Sequence, residues 1–136
     1  MSQNLELVKA LYNAFAQGDV PAVIAAMDPQ IEWREADNFL YADGNPYVGP
    51  EAILQGVFAR LGSEWDGFAA VPQQFHDAGD TVIATGRYGG TYKATHKSID
   101  AQFVHVWTLV GGKLIRFQQY ADTLQVARAT EQAASA

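Results

Sequence analysis

The sequence predicts an α+β domain in which three N-terminal helices pack in the concave side of a curved, mainly antiparallel sheet. Apolar residues recur at helical spacing early in the chain, whereas apolar and polar residues alternate from Phe68 onward. Near the end, Gly111-Gly112 joins two runs rich in β-branched and aromatic residues, which is typical of a tight hairpin. Helices followed by a meander of strands indicate an α+β domain, and a sheet curved around helices forms a cone with a pocket at its open end.

The composition indicates one ordinary globular domain, residues 1–136, with a frayed tail from about residue 130 to 136. The chain is 49% hydrophobic and 18% charged, with a net charge of −6. Its nine Lys and Arg residues form no basic patch, which argues against nucleic-acid binding. The absence of cysteine excludes disulfides and thiolate catalysis. No apolar run is long enough to span a bilayer and the start does not resemble a signal peptide, so we expect a cytoplasmic protein with no membrane partner.

Three helices are predicted before the main run of strands. The spacing of apolar residues predicts an amphipathic helix over Asn4–Gln17, ended by Gly18. Asp19 is a candidate N-cap for a short second helix. Pro50 suits the first turn of a third helix, which Gly62 closes.

A short strand, Ile31–Glu35, and an unusual loop separate the second and third helices. Alternation places Trp33 and Glu35 on one face of that strand. The loop, Ala36–Val48, is rich in turn formers yet contains four large apolar side chains: Phe39, Leu40, Tyr41 and Tyr47. Two interpretations stay open, a loop folded back onto the core and a lid or pocket rim.

The hairpin Ser98–Asp122 supplies the candidate site. If Gly111-Gly112 fixes a regular register, His105 lies opposite Gln118 and the following pairs continue without a break. One face then carries Ala101, Phe103, His105, Trp107, Leu109, Leu114, Arg116, Gln118, Tyr120 and Asp122. The other is mainly aliphatic at its centre. Because buried polar groups need partners, we expect the first face to line a pocket and the second to meet another layer or subunit.

Several segments resemble the SnoaL-like polyketide cyclase group, within the ketosteroid-isomerase-like (nuclear-transport-factor-like) cone superfamily. They are VKALYNAFAQGD from residue 8, residues 31–33, NPYVGPEAI from residue 45, residues 80–90, and residues 97–123 with the ending GGKLIRFQQYADT. The resemblance covers nearly the whole chain and implies the cone fold. It does not decide the chemistry, because the same cone hosts isomerases, cyclases, epoxide hydrolases, dehydratases and proteins without catalysis.

The resemblance also implies site residues. Asp122 looks like the acid/base aspartate at the end of the last strand in the cyclases, and His105 looks like the histidine beside the substrate. Where ketosteroid isomerases keep a general base, this chain offers Trp33 and Glu35. Tyr12 is a candidate for the isomerase tyrosine that donates to an oxyanion.

Each candidate also has a structural interpretation. In an apolar pocket the pKa of Asp122 rises and the group can exchange protons with carbon next to a carbonyl, but Asp122 also stands where an N-cap is expected. His105 can polarise a carbonyl or can be a buried histidine satisfied by its neighbours. The remaining candidates for substrate binding, several of them equally suited to the core, are Gln118, Tyr120, Phe103, Trp33, Glu35, Tyr12, Phe39, Tyr41 and Phe58.

Three functions are compatible with these observations. The first is a cofactor-independent isomerase, cyclase or hydratase acting on an apolar carbonyl-containing or polycyclic molecule, with catalytic residues Asp122 and His105. The second is a non-catalytic carrier or sensor, and the third is a dimeric interaction module without a ligand. The three histidines lack ligand-like spacing, so we expect no metal and no cofactor. We expect a homodimer through Val104, Val106, Ile115 and Phe117.

Overall fold

The fold is described by a computed structural model that covers residues 2–131. Helices α1 (Gln3–Ala16) and α2 (Val20–Ala25) come first, followed by strand β1 (Met27–Arg34) and the short strand β2 (Tyr47–Val48). A helical segment comes next: α3 (Pro50–Ile53), a π-helical stretch (Leu54–Phe58) and α4 (Ala59–Glu64). Four strands and a final helix complete the chain: β3 (Trp65–Asp77), β4 (Thr81–Tyr92), β5 (Lys97–Val110), β6 (Lys113–Ala121) and α5 (Thr123–Thr130).

The strands form one six-stranded sheet in the order β2-β1-β6-β5-β4-β3. The neighbours pair antiparallel except β1 and β6, which are parallel. The helices α1 and α4 contact β3, and α3 contacts β1, so the N-terminal helices cover the concave face of the curved sheet. This is the predicted α+β architecture, in which helices and a curved sheet enclose the core between them.

The helix ends follow the capping residues in the sequence. Ser2 Oγ accepts the backbone N–H of Leu5 at 3.1 Å, and Asp19 Oδ1 accepts that of Ala22 at 3.2 Å. Gly18, with φ +73°, follows α1 in the left-handed conformation that glycine adopts without steric cost. The third helix continues through Gly62 to Glu64, because an exposed glycine costs a helix only about 1 kcal/mol.

The β5–β6 hairpin corrects the predicted register. The turn is the predicted one, since Gly111 and Gly112 have φ values of +58° and +77°. Val110 pairs with Lys113 and Leu109 with Leu114, but Thr108 then pairs with Arg116. The residue between Leu114 and Arg116 is therefore unpaired and forms a bulge, which moves every later residue of β6 by one position.

This bulge exchanges the two predicted faces of β6. Phe117 and Gln119 are buried on the concave side, opposite Trp107 and His105. Gln118 and Tyr120 point to the convex side, and Tyr120 is 56% exposed. The prediction that Gln118, Tyr120 and Asp122 share a face with His105 is wrong for this reason, because a shift of one residue turns each side chain to the opposite face.

Residues 132–136 of the predicted frayed tail lie outside the described residues. Within residues 2–131, no helix combines the length and apolar character needed to cross a membrane.

Candidate functional site

A largely apolar cavity lies between the helices and the concave face of the sheet. Its volume is about 60 Å³, which holds a few water molecules and is less than half of a cavity of about 150 Å³ that binds benzene. It is lined by Leu11, Tyr12, Phe15, Val23, Trp33, Glu35, Phe39, Val57, Phe58, Leu61, Phe68, Ala70, Tyr88, His105, Trp107, Phe117 and Gln119. Four of these residues, Tyr12, Glu35, Tyr88 and His105, are titratable.

His105 lies in the centre of this lining, between two tyrosine hydroxyls. Tyr12 Oη, from α1, is 2.6 Å from His105 Nδ1. Tyr88 Oη, from β4, forms a short hydrogen bond with His105 Nε2. The ring of Phe103 stacks on the imidazole with 4.0 Å between centroids. Both ring nitrogens are therefore engaged and the orientation of the imidazole is fixed.

Each tyrosine oxygen also accepts a hydrogen bond from a donor of fixed identity. Trp107 Nε1 donates to Tyr12 Oη at 3.0 Å, and an indole nitrogen can only donate. Gln119 Oε1 accepts the backbone N–H of Ala36 at 3.0 Å, so the amide orientation is set and Gln119 Nε2 donates to Tyr88 Oη at 2.8 Å. The two hydroxyls therefore occupy equivalent positions on either side of the imidazole.

One hydroxyl hydrogen of the two tyrosines has no acceptor within this set of hydrogen bonds. Burial lowers the pKa of His105 from 6.5 to about 3, so the imidazole is neutral and carries one N–H. One tyrosine donates to the bare imidazole nitrogen, and the other accepts the imidazole N–H. The second tyrosine keeps its own O–H for another acceptor, which a molecule in the cavity can provide. Burial also raises the pKa of Tyr12 and of Tyr88, so both hydroxyls stay protonated.

Glu35 brings a carboxyl group into the same cavity. It follows β1 directly and is only 3% exposed. Its backbone is clamped by Asn45, whose Oδ1 accepts the Glu35 N–H at 2.9 Å and whose Nδ2 donates to the Glu35 carbonyl at 2.8 Å. No hydrogen bond reaches the carboxyl oxygens from any part of the chain that the structure describes. Burial raises the pKa of Glu35 from 4.5 to about 8, against smaller lowering effects from Trp33 and Arg60.

Trp33 has a buried donor without an acceptor. Its Nε1 makes no hydrogen bond with any group in residues 2–131, although the residue is only 4% exposed. The indole lies close enough to Glu35 to lower the pKa of that carboxyl, but it does not complete a hydrogen bond with it. An unmet buried N–H costs about 1–3 kcal/mol. The Trp33 ring is held by Phe117, whose centroid is 3.8 Å away.

The loop after β1 closes over this region and is tied to the helices. Arg60 of α4 forms an ion pair with Asp43 at 2.8 Å and lies over the Tyr41 ring, 4.2 Å from its centroid. Tyr41 Oη donates to Glu64 at 2.6 Å. Phe39, from the same loop, lines the cavity. The loop therefore packs on the core and also forms part of the cavity wall, so the two interpretations of its apolar residues are both compatible with its position.

The structure brings several of the predicted site residues together. Tyr12, Trp33, Glu35, Phe39, Phe58 and His105 all line the cavity. Phe103 supports the site from behind by stacking on His105. Tyr41 is fully buried beside Trp65, whose Nε1 donates to it at 3.1 Å, and it does not contribute to the cavity lining.

Asp122 lies outside the cavity. It is an exposed N-cap of α5, and its Oδ1 accepts the backbone N–H of Gln125 at 3.2 Å. Gln118 and Tyr120 line a separate, more open and more polar depression of about 450 Å³, which His105 and Glu35 do not line. The expected geometry, with Asp122, Gln118 and Tyr120 facing His105, is thus corrected by the β6 bulge.

Sequence reasoning missed Tyr88 and Gln119. Tyr88 alternates with Val82, Ala84 and Gly86 along β4, so its burial could be read from the pattern, but its contact with His105 depends on the strand pairing. Gln119 was placed on the wrong face by the regular register. Nothing in the sequence of β6 marks the bulge.

As for metals, the described residues contain no group of three His, Asp or Glu side chains arranged to hold an ion.

Comparisons with known proteins agree with this architecture. The chain is 42% identical to an NTF2-like protein from Burkholderia thailandensis E264, over 97% of this chain and 100% of that one, with a TM-score of 0.91. It is 26% identical to an NTF2-like protein of unknown function from Burkholderia pseudomallei K96243, covering 97% and 100%, with a TM-score of 0.88. It is also 26% identical to TerC, co-crystallised with polyporic acid, covering 94% and 98%, with a TM-score of 0.83.

Curated proteins give no match to this chain. A family model, by contrast, covers most of the sequence: the model described as a SnoaL-like domain matches residues 8–117. The match includes most of α1, β1, the loop, β3 to β5, the first half of β6 and most of the cavity lining. The chain therefore belongs to the SnoaL-like family and has its NTF2-like cone fold.

Proposed function

We propose that the cavity binds a compact, mainly apolar molecule with a carbonyl group, and that Glu35 transfers a proton to and from it without a cofactor. The observation that carries this proposal is a carboxyl group buried in an apolar cavity with no hydrogen bond from residues 2–131. Buried carboxyl groups of this kind are costly for stability, and they occur where proton transfer requires a raised pKa.

The proton transfer needs both forms of Glu35 near neutral pH. With a pKa of about 8, the group is mostly protonated at pH 7 and still supplies a carboxylate fraction. The carboxylate takes a proton from carbon next to the carbonyl, and the electron pair moves to the oxygen. The free hydroxyl of Tyr12 or Tyr88 then donates to that oxygen. Protonated Glu35 returns the proton to the same carbon, or to the γ carbon where a further double bond is conjugated with the enolate, so the carboxylate is regenerated.

The size of the cavity narrows the substrate class. About 60 Å³ accommodates a small ketone more readily than a polycyclic molecule. A polycyclic substrate would require Phe39 or Phe58 to move. The TerC structure, co-crystallised with polyporic acid, supports a small organic ligand in general, and the identity of this chain's ligand is a separate question.

Hydrogen–deuterium exchange into small ketones tests the proposal. Acetone and cyclopentanone are incubated in D₂O with the wild type, Glu35→Gln and Asp122→Asn proteins, and exchange next to the carbonyl is followed by NMR. We expect the wild type and Asp122→Asn to accelerate exchange equally and Glu35→Gln to lose at least 100-fold of the acceleration. If exchange were lost only in Asp122→Asn, Asp122 would be the acid/base residue, as the family resemblance implied, and the role of Glu35 would be refuted.

A non-catalytic carrier or sensor is the second candidate function. It is favoured by one observation: the polar groups around His105 mostly bind one another and hold the cavity in a fixed shape. Binding of a ketone without any exchange would support this function.

We also propose a homodimer through the convex face of the sheet. Val104, Val106 and Ile115 lie half-buried on that face, whereas Phe117 faces the cavity and is removed from the predicted interface. Val106→Asp should produce a monomer by light scattering at micromolar concentration. Val48→Asp, at an exposed position of β2, is the control and should leave the dimer intact. A wild-type monomer at that concentration would refute the interface.

A further inference from the structure

Trp33 and Glu35 stand two positions apart and on the same face of one chain segment. Both line the cavity, and both are at least nine-tenths buried. Of the three tryptophans, Trp65 donates to Tyr41 and Trp107 donates to Tyr12, whereas the Trp33 indole finds no acceptor among the described residues. The carboxyl of Glu35 likewise receives no hydrogen bond from them. A buried donor and a buried acceptor, both unpaired, are therefore neighbours.

We propose that Trp33 is a positioning residue for Glu35: its indole N–H donates to the carboxylate when Glu35 loses its proton. A carboxylate needs a hydrogen-bond donor more than a carboxylic acid does, because its charge is not solvated in the cavity. Trp33 thereby fixes which way the carboxylate points and limits how far burial raises its pKa. This inference rests on the proposed role of Glu35 in proton transfer.

The other charged or titratable groups around Glu35 have partners or proposed roles of their own. Three titratable groups face the same cavity: Tyr12 of α1, Tyr88 of β4 and His105 of β5. The hydrogen bonds between His105 and the two tyrosine hydroxyls already occupy both imidazole nitrogens. Arg60 of α4 lowers the pKa of Glu35 through its charge. The Arg60 guanidinium donates to Asp43 and to the Gly56 carbonyl and makes no hydrogen bond with Glu35. Besides the one tyrosine hydroxyl that the imidazole leaves free, which is assigned to the ligand oxygen, the Trp33 N–H is a donor without an acceptor among the described residues around Glu35.

NMR of the indole N–H groups tests the inference in the intact protein. The three indole signals are recorded from pH 5 to pH 10, and the Trp33 signal is assigned as the one that Trp33→Phe removes. We expect the Trp33 proton signal to move downfield with a midpoint equal to the pKa of the Glu35 carboxyl, measured on ¹³C-labelled protein. The signals of Trp65 and Trp107 should stay unchanged, and Glu35→Gln should abolish the movement.

Substitution of Trp33 provides the second measurement. In Trp33→Phe the aromatic ring remains but the donor is lost, so the pKa of Glu35 should rise by about one unit or more. Trp65→Phe is the matched control, because it removes an indole N–H outside the cavity, and it should leave the pKa of Glu35 unchanged. The pH profile of ketone exchange should shift to higher pH by the same amount in Trp33→Phe.

The two proposals fail in different ways. A wild-type Glu35 with a pKa near 4.5 would refute the proton-transfer role itself. A raised Glu35 pKa with a Trp33 signal that does not move during the titration would refute the positioning role of Trp33 and leave the proton-transfer role of Glu35 intact. An unchanged or lower Glu35 pKa in Trp33→Phe would also refute it.

Discussion

Tyr12 Oη lies 2.6 Å from His105 Nδ1 and ties helix α1 to strand β5 across the interior of the cavity. The same oxygen accepts the indole N–H of Trp107 at 3.0 Å. One hydroxyl therefore satisfies a group on each of two inward-facing residues of β5. The contact joins residues 93 positions apart in the sequence, so it links the first helix to an interior strand of the sheet.

Removing this hydroxyl should destabilise the protein. Tyr12→Phe keeps the ring but leaves the Trp107 N–H and His105 Nδ1 without their partner. Since an unmet buried polar group costs about 1–3 kcal/mol, we expect a loss of about 2–3 kcal/mol in the free energy of unfolding by urea. Tyr120→Phe is the control, because the Tyr120 side chain is largely exposed, and its effect should stay within about 0.5 kcal/mol. Equal effects of the two changes would contradict the role of the network.

Stability should have a maximum between about pH 4.5 and 6.5. His105 binds a proton at about pH 6.5 when unfolded but only at about pH 3 when folded, so its contribution to stability is lost as the pH falls. Glu35 loses its proton at about pH 4.5 when unfolded and at about pH 8 when folded, so its contribution is lost as the pH rises. Between 4.5 and 6.5 the two effects oppose each other. Below pH 4.5 the His105 effect acts alone, and above pH 6.5 the Glu35 effect acts alone. In each region the free energy of unfolding changes by at most about 1.4 kcal/mol per pH unit.

Urea unfolding across the pH range, in the wild type and in Glu35→Gln, checks this expectation. In Glu35→Gln, the stability should no longer fall between pH 6.5 and pH 8, but it should still fall at acid pH. The Arg60–Asp43 pair also contributes to the loss of stability at acid pH, because it lowers the pKa of Asp43. A decline between pH 6.5 and 8 that persists in Glu35→Gln would show that another group is responsible.

Replacing either of two glycines in the helical stretch from Pro50 to Glu64 by alanine should change the stability of the protein in opposite directions. A Cβ at Gly56, in the π-helical stretch, would overlap the Tyr47 ring. Tyr47 cannot move away easily, because its hydroxyl donates to the Tyr41 carbonyl at 2.6 Å. Gly56→Ala should therefore lower the melting temperature through a loss of about 2 kcal/mol or more.

Gly62→Ala is the matched change in the same segment. Gly62 lies in α4, is exposed, and has open space where its Cβ would stand. Alanine there should raise stability by about 0.5–1 kcal/mol, since it reduces the backbone entropy of the unfolded chain. Thermal unfolding of both variants decides the point. A destabilised Gly62→Ala or a neutral Gly56→Ala would contradict the packing described here.

Local signals in the sequence predicted most of the fold. The N-cap Asp19, the glycine after α1 and the Gly111-Gly112 turn all act as local physics requires. Such features depend on a few neighbouring residues, so they can be read without the tertiary structure. The order of helices and strands follows from them together with the periodicity of apolar residues.

The candidate site was harder to predict because it depends on a single bulge in β6. One unpaired residue after Leu114 places Phe117 and Gln119 in the cavity and turns Gln118 and Tyr120 outward. Neither propensity nor alternation marks that position, because the bulge is defined only by how β6 pairs with its neighbours β5 and β1. Trp33 and Glu35 were found as neighbours because they lie on β1 or directly after it, where no register shift separates them.

The ¹³C NMR titration of the Glu35 side-chain carboxyl tests the central claim most directly. Protein labelled at the glutamate carboxyl carbon is titrated from pH 3 to pH 10, and the Glu35 signal is identified by its absence in Glu35→Gln. We expect a midpoint at about pH 8, the value that burial in the cavity imposes. A midpoint near pH 4.5 would contradict the claim, because Glu35 would then be an ordinary ionised carboxylate at neutral pH.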